Sequence, residues 1–291
     1  MWEFVRSKKN VFEFKHPKNG LRLVLSPRPG PGVCTFNVTY LVGSINESRG
    51  TTGDTHILEH LMFKGSKNFN PQKKNGMWSL EKMGAVLNAT TYLDRTNYFE
   101  VIDSSKLKEC IIREADRMLQ PTLSADSLKS EMTVVRNEYE RGENSGFMKL
   151  RKKLMNTAFT QHPYGHSTIG YLYDIEHVTA KKLQTFHDTY YMPNNAIVMV
   201  TGQFDSKEVM KLVDEHFGDI PPKVVPKMNL QEPLQTGQRR VNVNLNSSPL
   251  IGVGFKGPKG MTRDAIALKV MGTILTSGPT SKFYPKIKDG T

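Results

Sequence analysis

Apolar and polar residues alternate, or apolar residues form short runs, in five segments that predict β-strands: 21–25, 35–42, 86–92, 97–102 and 196–201. Five other segments carry apolar residues at helical spacing and predict helices: 76–83, 105–119, the region around 128–139, 179–190 and 206–217. Because these helices and strands are mixed without regular alternation, we expect an α+β fold rather than a doubly wound parallel sheet.

A proline-rich stretch follows the last of these helices and indicates a linker at residues 221–240, with prolines at positions 221, 222, 226 and 233. The segment before it, residues 1–220, is long enough to form one complete domain. We therefore predict a first domain at residues 1–220 that is separated by the linker from whatever follows.

The remaining residues, 241–291, show the start of a second α+β pattern. It consists of two predicted strands, at 240–245 and 250–255, followed by a predicted helix at 262–275. This order faintly repeats the order in residues 21–63. Since so few elements cannot close a hydrophobic core, we expect this second domain to be truncated.

The candidate chemistry of the chain is concentrated in residues 56–60, which read His-Ile-Leu-Glu-His. Histidines at i and i+4 lie on one face of a helix, so His56 and His60 can reach a single metal ion. Glu59 lies beside them, close enough to act on a water held by that metal. Apolar neighbours such as Leu58 and Leu61 would partly bury the imidazoles, which then need partners. The alternative is a histidine pair on an ordinary amphipathic helix.

A catalytic zinc normally has three protein ligands, so a third must come from elsewhere in the chain. The best candidates lie in the predicted helix around 128–139, whose apolar stripe is formed by Leu128, Met132, Val135 and Tyr139. Glu131 and Glu138 are two turns apart and border this stripe. An ordinary charged helix with i,i+4 ion pairs is the alternative interpretation of the same residues.

Several further phrases accompany these two motifs. Far downstream of the His-x-x-Glu-His segment the chain reads Val134-Val135-Arg136-Asn137-Glu138. The phrase Asn88-Ala89-Thr90-Thr91 lies between the two motifs. Two more phrases follow them, His162-Pro163-Tyr164-Gly165 and Tyr191-Met192-Pro193-Asn194-Asn195. In this combination, over about residues 10–285, the chain resembles the pitrilysin/insulinase family of zinc metallopeptidases, the inverzincins. The resemblance implies an α/β sandwich unit in which helices flank a largely antiparallel sheet. It also implies a second unit of the same kind that binds no metal.

The resemblance implies a role for each residue of the candidate site. His56, His60 and Glu138 would bind one Zn²⁺ per chain, and Glu131 would be the outer carboxylate that orients a ligand histidine. Glu59 would be the general base that acts on a zinc-bound water. The implied activity is that of a zinc-dependent endopeptidase that hydrolyses peptides or unfolded segments.

The resemblance also implies partners. Asn88 and Ala89 would lie on the strand that receives the backbone of the peptide substrate. Family members continue into a second half that closes over the substrate, and that half could be part of the same polypeptide or a separate subunit. The alternative function is therefore a catalytically incompetent half, or an assembly subunit, that needs such a partner.

Composition and charge exclude other classes of protein. The chain has 40 Lys and Arg against 28 Asp and Glu, a net charge of +12, but its basic residues are dispersed and match no nucleic-acid-binding motif. We therefore expect no nucleic acid as partner. No apolar run approaches the length of a transmembrane helix, and the N-terminus lacks the apolar segment of a secretory signal. We expect a soluble protein, cytoplasmic, or periplasmic or organellar if its N-terminus has been trimmed.

Overall fold

The computed structural model describes residues 2–70, 74–228, 230–246 and 248–289. Packing divides the chain into two compact units, residues 1–250 and residues 251–291. The first unit contains the sheet and all the candidate site residues, and each unit is described by itself. The predicted domain boundaries at residues 220 and 240 stay a prediction.

A seven-stranded sheet forms the centre of the first unit. Its strands, in chain order, are β1 (Glu3–Lys8), β2 (Val11–Lys15), β3 (Arg22–Pro27), β4 (Val33–Tyr40), β5 (Val86–Thr91), β6 (Thr96–Asp103) and β7 (Ala196–Gly202). Across the sheet they lie in the order β1-β2-β3-β7-β4-β6-β5. Only β3 and β7 pair in parallel, and the other neighbours are antiparallel. The largely antiparallel α+β architecture is therefore confirmed, and β5 is an edge strand.

The alternation seen in the sequence separates the two faces of this sheet. In β4, Phe36, Val38 and Tyr40 are fully buried, while Asn37 and Thr39 between them are only partly buried. The register places Val38 opposite Tyr98 of β6 and Val198 of β7, so one face is continuously apolar. Burying this face beneath helices is what stabilises the layer.

The described residues of this unit form seven α-helices: α1 (Asp54–Leu61), α2 (Leu107–Leu119), α3 (Ala125–Asn144), α4 (Gly146–Ala158), α5 (Leu172–Glu176), α6 (Ala180–Tyr190) and α7 (Ser206–Phe217). The long helix α3 begins directly after its capping residue, Ser124. The Ser124 hydroxyl accepts a hydrogen bond of 3.0 Å from the Ser127 N–H. Helix α1 contacts both β5 and α3, and that contact sets the geometry of the candidate site.

Some elements differ from the prediction. The segment predicted as a helix at 76–83 forms two short 3₁₀ turns, Met77–Ser79 and Glu81–Met83, and ends at Gly84 with φ of 89°. Strand β2 was not predicted because its buried position is occupied by a charge, Glu13, which accepts hydrogen bonds from Arg6 and Arg22. Helix α4 was not predicted either, because its basic run resembled a solvated surface segment.

The second unit contains a helix α8 (Arg263–Thr276), which confirms the predicted helix at 262–275, and a π-helical turn at Pro285–Asp289. The strands predicted at 240–245 and 250–255 are wrong. Within the described part of these segments no residue pairs with a neighbouring strand. A strand needs such a neighbour to satisfy its backbone groups, and an alternating pattern cannot supply one by itself.

No helix among the described residues has the length and apolar character needed to cross a membrane.

A close backbone approach between two loops sets the start of α1. Gly170 has φ of 85°, and a Cβ added to it would lie 2.4 Å from the carbonyl oxygen of Thr52. We expect Gly170→Ala to lower the free energy of unfolding by roughly 2–4 kcal/mol, because both the positive φ and the contact resist a side chain. Gly142→Ala in α3, where a Cβ meets nothing within 4 Å, is the control and should not destabilise. Urea denaturation measures both, and equal stabilities would contradict the prediction.

Candidate metal centre

A buried carboxyl group, that of Glu47, positions α1 at its N-terminus. Glu47 accepts hydrogen bonds from the N–H groups of Gly53, at 2.9 Å, and Thr55, at 2.8 Å. These N–H groups have no partner within the helix, so Glu47 satisfies them. Sequence reasoning missed Glu47, because this cap lies outside the usual sequence position of a helix cap. Ile57 and Leu58 of α1 are buried in the core, and the opposite side of the helix presents the two histidines.

Three predicted ligands meet between α1 and α3. His56 Nε2 lies 3.4 Å from His60 Nε2 and 3.4 Å from Glu138 Oε2, and His60 Nε2 lies 3.6 Å from the same oxygen. All three side chains are partly buried. Among the described residues, this is the one cluster of three or more His, Cys, Asp or Glu residues able to hold a metal ion.

The distances in this triad fit a shared metal better than direct hydrogen bonds. Strong hydrogen bonds between such groups are about 2.7–3.2 Å long, shorter than any of the three separations. Two ligand atoms bound to one tetrahedral zinc at about 2.0–2.1 Å lie roughly 3.4 Å apart. Two imidazole nitrogens and a carboxylate oxygen are also the donor set that catalytic zinc sites use.

Burial keeps His56 neutral. Burial, and to a smaller extent the neighbouring His60, lower the pKa of His56 to about 4. Its ring therefore carries no charge at neutral pH, and one nitrogen keeps a free lone pair. A neutral imidazole is the form that binds a metal.

Glu131 holds the other edge of the His60 ring. Its Oε1 lies 2.9 Å from His60 Nδ1, and its second oxygen forms an ion pair with Lys64. Burial opposes ionisation of Glu131, but the hydrogen bonds from Lys64 and His60 lower its pKa below the ordinary value. Because an ionised carboxylate can only accept, His60 Nδ1 donates and Nε2 faces the triad as the lone-pair nitrogen. Lys64 was missed, although it is four residues after His60.

Glu59 lies in the same cleft with a partner from β5. The Thr91 hydroxyl donates a hydrogen bond to Glu59 Oε2. Burial raises the pKa of Glu59 above its ordinary value, although this hydrogen bond opposes the shift. Sequence reasoning assigned no role to Thr91, although the residue belongs to the phrase Asn88-Ala89-Thr90-Thr91.

The predicted substrate residues line this cleft. Asn88 and Ala89 lie on β5 and line this cavity together with Leu87 and the ligand residues. The Asn88 side-chain oxygen accepts a hydrogen bond of 2.8 Å from the Ala89 N–H. Stacked rings of Phe63 and Trp78 form a further wall. The cleft therefore lies beside the edge strand β5 and is lined by every residue predicted for the site.

Comparison with family models decides the membership of the chain. Residues 22–171 match the model described as insulinase, peptidase family M16. Residues 177–290 match the model described as the peptidase M16 inactive domain. The chain belongs to the insulinase family, peptidase family M16. The resemblance in the sequence motifs is thereby confirmed.

Individual members of the M16 family agree with this assignment. The zinc protease PqqE of Helicobacter pylori is 34% identical over 279 residues, which cover 94% of this chain and 62% of that protein. A crystal structure of a protease from Helicobacter pylori superposes with a TM-score of 0.87 at 32% identity, and covers 96% of this chain and 68% of its own. The periplasmic protease PqqL of Escherichia coli, with a TM-score of 0.71 and 22% identity, shares the fold.

The M16 chain spans 62% of the length of the PqqE relative. The family models and these relatives together confirm the predicted insulinase-family membership and fold.

The low pKa of His56 makes stability depend on pH in the metal-free protein. In the unfolded chain His56 takes up a proton below about pH 6.5, whereas in the folded protein it does so only near pH 4. The contribution of this residue to the free energy of unfolding is therefore full above pH 6.5 and is lost as the pH falls from 6.5 towards 4. We expect His56→Gln to reduce the loss of unfolding free energy between pH 7.5 and pH 5 by roughly 1–2 kcal/mol. Denaturant unfolding in chelator measures this loss. An equal loss in both proteins would contradict the assignment.

Proposed function

We propose that this chain is the zinc-binding, catalytic half of an M16 endopeptidase that cleaves peptides or unfolded segments. One observation carries the proposal: the ligand atoms of His56, His60 and Glu138 converge at distances suited to one tetrahedral ion, beside the partly buried carboxyl of Glu59. The names of the relatives, zinc proteases among them, support the same choice of metal and reaction.

In this proposal the two Nε2 atoms and the Glu138 carboxylate hold the zinc. When bound, zinc polarises a peptide carbonyl and makes a water molecule a better nucleophile at neutral pH. Glu131 orients His60 through its Nδ1–H, and Lys64 keeps Glu131 ionised. The ligand set is therefore supported by a second layer of charge.

Glu59 moves the proton in the proposed reaction. Its carboxylate accepts a proton from the attacking water and later donates it to the leaving amine. Burial raises the pKa of Glu59, which brings it closer to the range in which a carboxyl can both accept and donate near neutral pH. The Thr91 hydroxyl holds one carboxyl oxygen in place, so the other is available for the water.

The edge strand β5 provides the peptide-binding element. Its outer edge has no neighbouring strand in the described sheet, and its residues Asn88 and Ala89 line the cleft. An extended peptide can add to this edge as a further strand, with its backbone near the ligand cluster. We propose that a second family half, in the same polypeptide or in a partner subunit, closes over the bound peptide, because relatives are longer than this chain.

Separating the metal ligands from the base tests the proposal. Glu59→Gln should keep zinc but lose at least roughly 100-fold in cleavage of an unstructured peptide, because only proton transfer is removed. Glu138→Ala should lose zinc as well as cleavage, because it removes a ligand. Zinc content by atomic absorption and peptide cleavage by mass spectrometry measure the two effects.

The matched control is Glu140→Gln, which changes an exposed carboxylate of the same helix two residues from Glu138. It should retain both zinc and cleavage. Undiminished cleavage by Glu59→Gln would contradict the role of the base. Unchanged zinc content in Glu138→Ala would contradict the ligand set.

The support from Glu131 is tested separately. We expect Glu131→Gln to weaken zinc binding by roughly 10- to 100-fold, because the neutral amide orients the His60 ring less strongly and no longer increases its basicity. Competition with a fluorescent chelator measures the affinity, and Glu140→Gln again serves as control. Zinc affinity equal to that of the unaltered protein would show that Glu131 has only a structural role.

A further inference from the structure

A second cavity lies just beyond the end of β5 and is separate from the metal cleft. Thr91, the last residue of β5, forms one side together with Tyr92 and Leu93 of the turn that follows. Helix α4 forms the opposite side. The cavity volume is about 110 Å³, enough for several water molecules at roughly 10–15 Å³ each, and so for one amino-acid side chain.

One face of α4 lines this cavity, with Met148, Arg151, Lys152 and Met155 at positions i, i+3, i+4 and i+7. Two cations therefore lie between two flexible apolar side chains. The remaining wall contributes hydroxyl groups from Ser167 and Thr168, and no carboxylate is among the lining residues. Both the charge and the hydrogen-bond donors favour an anionic occupant.

The two cations differ in how far they are already neutralised. Lys152 Nζ lies 2.6 Å from Glu143 Oε1, so most of its charge is compensated within the protein. Arg151 is exposed, and the described part of the chain offers it no ion pair or hydrogen bond. The nearby Asp94 accepts hydrogen bonds from the Tyr164 hydroxyl at 2.7 and 2.8 Å. Arg151 is therefore the cation that remains available to a ligand.

The cavity is in line with the proposed peptide-binding edge. Thr91 is two residues beyond Ala89, which is roughly 7 Å along a strand. A peptide paired with β5 near the metal centre would therefore place a residue two to four positions from the cleaved bond at this cavity. The hydroxyl of the same Thr91 donates a hydrogen bond to Glu59, which lines the metal cleft, so one contact connects the cavity with that cleft.

We propose that this cavity is a specificity subsite that binds an Asp or Glu side chain of the substrate, two to four residues from the cleaved bond, through the guanidinium of Arg151. The inference rests on the proposed function, since it assumes a peptide bound along β5. The planar guanidinium can donate two parallel hydrogen bonds to the substrate carboxylate. Met148 and Met155 can pack against the methylene groups of the same substrate side chain.

Binding of peptides to a chain that cannot cleave them tests this subsite. The Glu59→Gln protein is titrated into fluorescein-labelled unstructured peptides that differ only in having Glu, Gln or Lys at each of the positions two to four residues from the bond that the unaltered protein cleaves. If the unaltered protein cleaves nothing, the substituted residue is moved along the whole peptide. We expect the best Glu peptide to bind roughly three- to tenfold more tightly than its Gln counterpart, as expected for one partly exposed charged pair.

Two variants locate the effect. Arg151→Met, made in the same background, should abolish the preference for Glu over Gln, and Arg151→Glu should reverse it in favour of Lys. Lys153→Met, which removes an exposed cation of the same helix that does not line the cavity, should leave the preference unchanged.

Equal binding of the Glu and Gln peptides at every position, or a preference that persists in Arg151→Met, would overturn the subsite. Absence of any peptide binding would overturn it as well. If the preference appears but zinc or cleavage is absent, the subsite stands and the proposed function fails. If zinc-dependent cleavage occurs without the preference, only the subsite fails.

Discussion

Two carboxylates of α3, seven residues apart, contact the two nitrogens of one imidazole on α1. Glu131 accepts from His60 Nδ1 at 2.9 Å, and Glu138 lies 3.6 Å from its Nε2. This pair of contacts joins α1 to α3 at both nitrogens of one ring. His56, one turn earlier on α1, is thereby held at the same point. The candidate metal centre depends on these contacts between α1 and α3.

The ionisable groups between α1 and α3 are buried or partly buried, and neighbouring side chains compensate their charges. Imidazoles and carboxyls at the bottom of a cleft need compensation, which Lys64 provides for Glu131 and Thr91 provides for Glu59. A second buried charge cluster lies behind the cleft, where Arg117 of α2 pairs with Glu114 and its guanidinium carbon lies 4.2 Å from the ring centroid of Tyr98. The sheet edge near the candidate site is thus supported by ionic contacts as well as by apolar packing.

Strand β5 connects the functional parts. Its residues Asn88 and Ala89 face the metal cleft, Thr91 holds the proposed base, and the turn after it opens into the cavity beside Arg151. As an edge strand it can accept a peptide without rearrangement of the sheet. Recognition and chemistry would then be arranged along one extended backbone, and cleavage position and side-chain preference would be coupled by strand register.

Local periodicity predicted much of this protein. The strands β3 to β7, most of the helices and the pairing of His56 with His60 follow from side-chain spacing within one element, which the backbone geometry determines. The α+β class followed from the order of those elements. Where one buried residue was charged, as at Glu13 in β2, the pattern was hidden.

Contacts between distant elements could be decided only by the tertiary structure. Spacing alone left Glu138 as one of two candidate ligands until the family resemblance was considered, because residues 78 positions from His60 are related by packing and not by periodicity. For the same reason, spacing assigned no role to Thr91 or Arg151, which lie far along the chain from the histidine motif. The strands predicted at 240–245 and 250–255 failed on the same ground. Sequence determines which faces are apolar or charged, and the packing of those faces determines which charges meet.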